Sequence, residues 1–205
     1  MIRSVLFICL LALSNLASAG DSAKHTILVV GDSISAAYGI EPELGWVSLL
    51  SGKIAQQKNG YQVINASVSG DLTSNGLNRL PDLLKKYQPA IVIIELGGND
   101  GLRGVPLRLI QRNLQKLVEQ SQASGARVLL AGMRIPPNYG VRYAEAFHEV
   151  YHKVAEQNDI ELVPFILDGV GGNGDFMQSD GIHPTVEAQP TILTHVWKSL
   201  EPMLN

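Results

Sequence analysis

Apolar residues along this chain follow two alternating rhythms. Short uninterrupted runs, Thr26-Ile27-Leu28-Val29-Val30, Gln62-Val63-Ile64-Asn65, Ala90-Ile91-Val92-Ile93-Ile94, Arg127-Val128-Leu129-Leu130-Ala131 and Glu161-Leu162-Val163, are short, apolar and bounded by polar residues or glycine. That pattern predicts strands, the apolar β-branched ones buried on both faces. Between the runs, apolar positions recur at helical spacing: Trp46, Leu49, Leu50 and Ile54; Leu77, Leu80, Leu84 and Tyr87; Leu107, Ile110, Leu114, Leu117 and Val118; Phe147, Val150, Tyr151 and Val154. A last stripe at Ile192, Leu193, Val196, Trp197 and Leu200 tolerates Pro190 in its first turn.

Strands and helices in alternation predict an α/β, doubly wound fold, because each right-handed crossover lays its helix on a parallel sheet. Chemistry in such sheets collects at the carboxyl ends of the strands, near the point where strand order reverses. Three segments leave those ends: Gly31-Asp32-Ser33, then Asn65-Ala66-Ser67-Val68-Ser69-Gly70-Asp71, then Leu96-Gly97-Gly98-Asn99-Asp100-Gly101. With a strand order of 2-1-3 they are neighbours in space.

A serine hydroxyl is a poor nucleophile at neutral pH unless an imidazole takes its proton, and the imidazole needs a partner that fixes its other nitrogen. Ser33 together with Asp180-Gly181-Ile182-His183 supplies those three parts. The Ser33 N–H, the Gly70 N–H and the Asn99 amide could converge as donors for a carbonyl oxygen that becomes negative. Asp32, Asp71 and Asp100 read as structural, capping helices or holding loops. Gly98 is expected to be a turn glycine with positive φ.

The N-terminal residues change the picture of which chain does this work. Arg3, the apolar run Val5 to Leu13 and Ala17-Ser18-Ala19 describe a secretory signal cleaved after Ala19. The run is about half of the roughly 20 residues that a spanning helix needs, so stable membrane insertion is not expected. The remaining residues 20–205 suit a single domain, and the product is periplasmic or extracellular. Cys9, the only cysteine, leaves with the signal, so no disulfide is expected. A formal net charge of −3 without a basic stripe argues against nucleic acid and anionic membranes as partners, and a monomer is expected.

Two other motifs are weighed and set aside. His148-Glu149-Val150-Tyr151-His152 has the zinc-protease spacing, but both histidines point away from the buried stripe and no third ligand suggests itself, so they are expected to be solvated. Gly169-Val170-Gly171-Gly172-Asn173-Gly174 matches the dinucleotide fingerprint but opens no obvious helix. No metal and no cofactor are expected.

The four ordered blocks at 31–33, 65–71, 95–104 and 180–184 closely resemble the SGNH, or GDSL, hydrolase family, and Pro136-Pro137-Asn138-Tyr139-Gly140 and Ala188-Gln189-Pro190 extend the match. The resemblance implies a flavodoxin-like three-layer α/β/α sandwich with a five-stranded parallel sheet. It places the catalytic set on Ser33, Asp180 and His183, with an oxyanion hole at Ser33, Gly70 and Asn99. It also implies small-molecule ester, acyl thioester, aryl ester or lysophospholipid substrates, with Gly101, Leu102, Pro136 and Pro137 in the walls of an acyl groove. Ile34 stands where the family motif has leucine. Leu72 stands where relatives often have threonine, which leaves that helix start without a side-chain hydrogen bond. Carbohydrate deacetylation uses the same catalytic parts and is the alternative activity; a non-enzymatic α/β ligand-binding domain is the alternative class.

Overall fold

The apolar runs become β1 (His25–Gly31), β2 (Tyr61–Asn65), β3 (Ile91–Glu95), β4 (Arg127–Ala131) and β5 (Glu161–Val163) in the computed structural model, which describes residues 25–57 and 60–204. The expected signal segment 1–19 lies outside the described residues. All strand pairs are parallel and the order is β2-β1-β3-β4-β5. β3 is buried along its whole length, whereas the edge strands β2 and β5 are only partly covered. This is why the central runs are continuously apolar and the edge runs carry polar residues.

The helices are α1 (Trp46–Gln57), α2 (Thr73–Tyr87), α3 (Gly98–Leu102), α4 (Leu107–Ala123), α5 (Val141–Asn158) and α6 (Gln189–Leu200). α1 packs on α6 against one sheet face, and α4 packs between α2 and α5 against the other. The result is the three-layer α/β/α sandwich. Each long helix buries the stripe read from its period, for example Ile110, Leu114, Leu117 and Val118 of α4. Among the described residues, no helix is long and apolar enough to cross a membrane.

After β1 the chain winds to β2 at the sheet edge and returns on the other side of β1 to form β3. Strand order therefore reverses between β1 and β3, and the loops that follow them open side by side. The Val68 N–H donates to the Gly31 carbonyl at 3.0 Å, which ties the loop after β2 to the same place.

The short helix α3 was not visible in the apolar pattern. Gly98 is its first residue and does not have positive φ; Gly97, at φ +114°, makes the turn instead. A Cβ on Gly97 would lie 2.3 Å from the Tyr151 hydroxyl, which donates to the Leu96 carbonyl at 2.9 Å. Leu72 does stand at the start of α2 without a side-chain cap. Asp100 of α3 replaces that cap from outside, accepting from the Thr73 N–H at 2.8 Å and the Thr73 hydroxyl at 2.7 Å. The orphan donors of a helix start are thus met by a neighbouring helix.

Gly101 is buried behind Leu102 rather than lining a groove. A Cβ there would lie 2.8 Å from Ile135 Cγ2 and 2.8 Å from Phe147 Cε2. Gly101→Ala is expected to cost about 1–3 kcal/mol through overpacking. The urea midpoint measures it, and an unchanged midpoint would mean that Ile135 and Phe147 yield without strain.

Candidate active site

Ser33 sits in the tight turn that leaves β1. The Asp32 carboxylate accepts from the Ile34 N–H at 3.1 Å, which curls the turn. Beneath it, Oε2 of Glu95 accepts from the Asp32 N–H at 3.3 Å, the Ser35 N–H at 3.2 Å and the Ser35 hydroxyl at 2.6 Å. Gly31 pairs with Glu95 across the sheet, and a Cβ on it would come within 2.7 Å of Glu95 Oε2 and of Ser35. Only glycine leaves room for that carboxyl group.

His183 arrives on the segment that precedes α6. Asp180 Oδ1 accepts from the Ile182 and His183 N–H groups at 2.9 and 3.0 Å, and its Oδ2 accepts from His183 Nδ1–H at 2.6 Å. These bonds hold the Asp180 carboxyl down to about 2, the His183 side chain being the largest cause and the backbone donors next. A proton fixed on Nδ1 leaves Nε2 as an acceptor. Nε2 lies 2.8 Å from the Ser33 hydroxyl, which donates to it. Gln178 joins this segment to the serine turn: its Nε2 donates to the Tyr38 carbonyl at 2.8 Å and the Pro184 carbonyl at 3.0 Å. The Tyr38 ring lies 4.5 Å from the imidazole, centre to centre.

Asn99, on α3, reaches the same rim. Its Nδ2 donates to Asp32 Oδ2 at 3.2 Å and to the Asp71 carbonyl at 3.1 Å. Gly70 precedes that carbonyl at φ +83°, a conformation suited to glycine. Among the described residues, neither the Ser33 nor the Gly70 N–H has an acceptor. Asp71 is paired with Arg79 at 2.8 Å, and the same guanidinium donates to the Ala66 and Gly31 carbonyls, fixing the loop after β2.

A cavity of about 680 Å³ extends from Ser33 and Asn99. Leu102, Pro136 and Pro137 line it, together with Met133, Ile135 and Val141. Gly101 does not, for the packing reason given above. The volume is typical of sites that enclose small organic ligands.

His148 also lines the cavity and is half-buried, not solvated as its position on the helical wheel suggests. The chain leaving β4 passes over it, so that Nδ1 meets the Met133 carbonyl at 3.1 Å and Nε2 meets Arg134 Nη2 at 3.2 Å. Burial lowers its pKa, and the nearby Arg134 charge adds to this. His152 Nε2 lies 3.3 Å from the same nitrogen. Among the described residues, no cluster of three or more His, Cys, Asp or Glu side chains is placed to hold a metal. The glycine-rich stretch 169–174 lies between β5 and α6, outside both.

A doubly wound sheet that presents a serine, a histidine and an aspartate in hydrogen-bonded series at its strand ends has the arrangement of a serine hydrolase. The chain is a member of the GDSL-like Lipase/Acylhydrolase family, which matches residues 29–189. It is 54% identical over 183 residues to Esterase TesA of Pseudomonas aeruginosa, covering 89% of this chain and 91% of that protein. It is 43% identical over 184 residues to Thioesterase 1/protease 1/lysophospholipase L1 of Escherichia coli K12, covering 90% of this chain and 87% of that protein. Among solved structures, the psychrotrophic esterase EstA from Pseudoalteromonas sp. superposes with a TM-score of 0.84 at 43% identity, over 89% of this chain and 100% of that one.

Proposed function

We propose that this enzyme hydrolyses carboxylic esters and acyl thioesters by two-step acyl transfer through Ser33. The series Asp180–His183–Ser33, with spacings of 2.6 and 2.8 Å at the mouth of an apolar cavity, carries the reading. His183 takes the Ser33 proton as the oxygen attacks the acyl carbon, then gives it to the departing alcohol or thiol. Asp180 holds the imidazole and stabilises its charged form. Water activated by the same imidazole releases the acid and restores the serine.

The negative oxygen of each tetrahedral intermediate faces the Ser33 N–H, the Gly70 N–H and Asn99 Nδ2. Both hydrogens of that amide have acceptors in the resting site, so one is shared with or passed from its present partner when the charge develops. Inhibition of EstA by monoethylphosphonate supports a serine nucleophile in a close relative. The names of the relatives support esters, thioesters and lysophospholipids as substrate classes.

The cavity favours an acyl chain over an acetyl group. Each buried methylene is worth about 0.8 kcal/mol, so kcat/KM across a p-nitrophenyl ester series is expected to rise up to about fourfold per methylene until the cavity fills. A maximum at acetate would instead favour the deacetylase alternative. Arg3, the apolar run after it and Ala17-Ser18-Ala19 further support export, with the periplasm as the site of action. N-terminal sequencing of the exported protein would then begin at Gly20.

A further inference from the structure

Glu95 is fully buried at the end of β3, directly under the nucleophile turn, and takes no part in the acyl transfer above. Its two oxygens are in opposite situations. Oε2 accepts three hydrogen bonds, while Oε1 is buried with no donor reaching it among the described residues. An ionised carboxylate would leave half its charge on that bare oxygen, away from water, which is costly. A protonated Oε1 is a donor and needs an acceptor; Asp32 is the adjoining acid, its N–H already 3.3 Å from Oε2 and its carboxyl interacting with the Glu95 side chain.

We propose that Glu95 carries a proton on Oε1 and donates it to the Asp32 carboxylate, so that the two acids beneath Ser33 share one negative charge. No bond to carbon forms or breaks; the proton remains on Glu95 throughout turnover. Glu95 is thereby a positioning residue. Through Oε2 it fixes the Asp32 and Ser35 N–H groups that shape the turn. Through Oε1 it fixes the carboxylate that holds the Asn99 amide.

The surrounding charges agree with this division. Burial raises the Glu95 carboxyl well above the usual range, and the neighbouring negative Asp32 raises it further. Burial likewise lifts Asp32, to about 6, while the Ile34 N–H and the Glu95 side chain oppose the rise. His183 favours the Asp32 charge and Asp71 disfavours it. From α5, the buried Tyr151 hydroxyl donates to the Leu96 carbonyl and is itself pushed up, chiefly by burial, with the charges of Asp100, Asp32 and Glu95 adding to this. Arg79 is committed to Asp71. Among the described residues, no cation therefore stands against Glu95 to keep it ionised.

The inference rests on the serine mechanism for its kinetic part alone, and the first measurement is independent of activity. In protein labelled with ¹³C at glutamate Cδ, one carboxyl resonance is expected at the protonated position at neutral pH and is expected to vanish in Glu95→Gln. A Glu95 resonance at the carboxylate position overturns the proposal. Kinetically, Glu95→Gln keeps both an acceptor and a donor and is expected to lose no more than about fivefold in kcat, whereas Glu95→Ala loses at least about tenfold with KM little changed. Equal losses in the two variants, with Glu95→Gln folded, also overturn it.

Stability gives a third reading. A proton retained by folded Glu95 but released by the unfolded chain makes stability fall as pH rises between the unfolded and folded pKa values. Glu95→Gln removes that contribution, so its urea midpoint should gain on wild type from acid toward neutral pH; a constant difference counts against the proposal. If Ser33→Ala retains full turnover, the serine mechanism fails and the labelling result still decides the state of Glu95.

Discussion

Ser33→Ala and His183→Ala are each expected to reduce kcat for ester hydrolysis on the order of 10⁶-fold, and the double variant to lose no more than either alone. The reason is that, in the proposed mechanism, the two groups act as one device. Without the hydroxyl there is no acyl-enzyme, and without the imidazole nothing takes the hydroxyl proton. Folding should survive. The Ser33 hydroxyl bonds to His183 alone among the described residues, and His183 lies on a partly open rim outside the helices and strands. Single-turnover kinetics on a p-nitrophenyl ester, with circular dichroism as the folding control, measure the loss. Retention of more than a few per cent of wild-type kcat by either variant would sink the serine mechanism. Asp180 remains ionised down to about pH 2, so any loss of activity in mildly acid solution has another origin.

Asn99→Ala is expected to lower kcat by about 10²–10³-fold, the usual effect of removing one oxyanion donor. KM should move little, because the donor meets a charge that exists in the transition state and not in the bound ester. The substitution also removes the bonds to Asp32 and the Asp71 carbonyl, so the loss includes a loosened rim. Covalent labelling of Ser33 by a fluorophosphonate should slow without disappearing. A rise in KM at unchanged kcat would mean that Asn99 binds ground-state substrate and does not face the developing charge.

Much of this architecture is legible in the order of apolar residues because sheet and helix burial impose different periods. The central strands announce themselves through continuous runs such as Ile91-Val92-Ile93-Ile94. The five-residue α3 has no room for a period, and its start depends on a backbone turn at Gly97 and a cap supplied to another helix. Glu95 follows an apolar run, and the period of that run does not mark it as buried. A carboxylic acid at the end of a strand covered on both sides is nevertheless a signal that it needs local partners. Gln178 and Tyr38 carry no motif, since a glutamine that bridges two carbonyls is visible only once the segments meet. His148 misled because a helical wheel shows the helix's own stripe but not the chain that passes over its flank.

The Ser33–His183 contact spans 150 residues of sequence. Every strand among the described residues ends before residue 164, yet His183 and α6 lie beyond it. A polypeptide still emerging at that point holds the sheet and the serine but no catalyst. Under the proposed mechanism hydrolytic activity is therefore a late event of maturation, and its recovery during refolding is expected to report the docking of the final segment rather than collapse of the sheet.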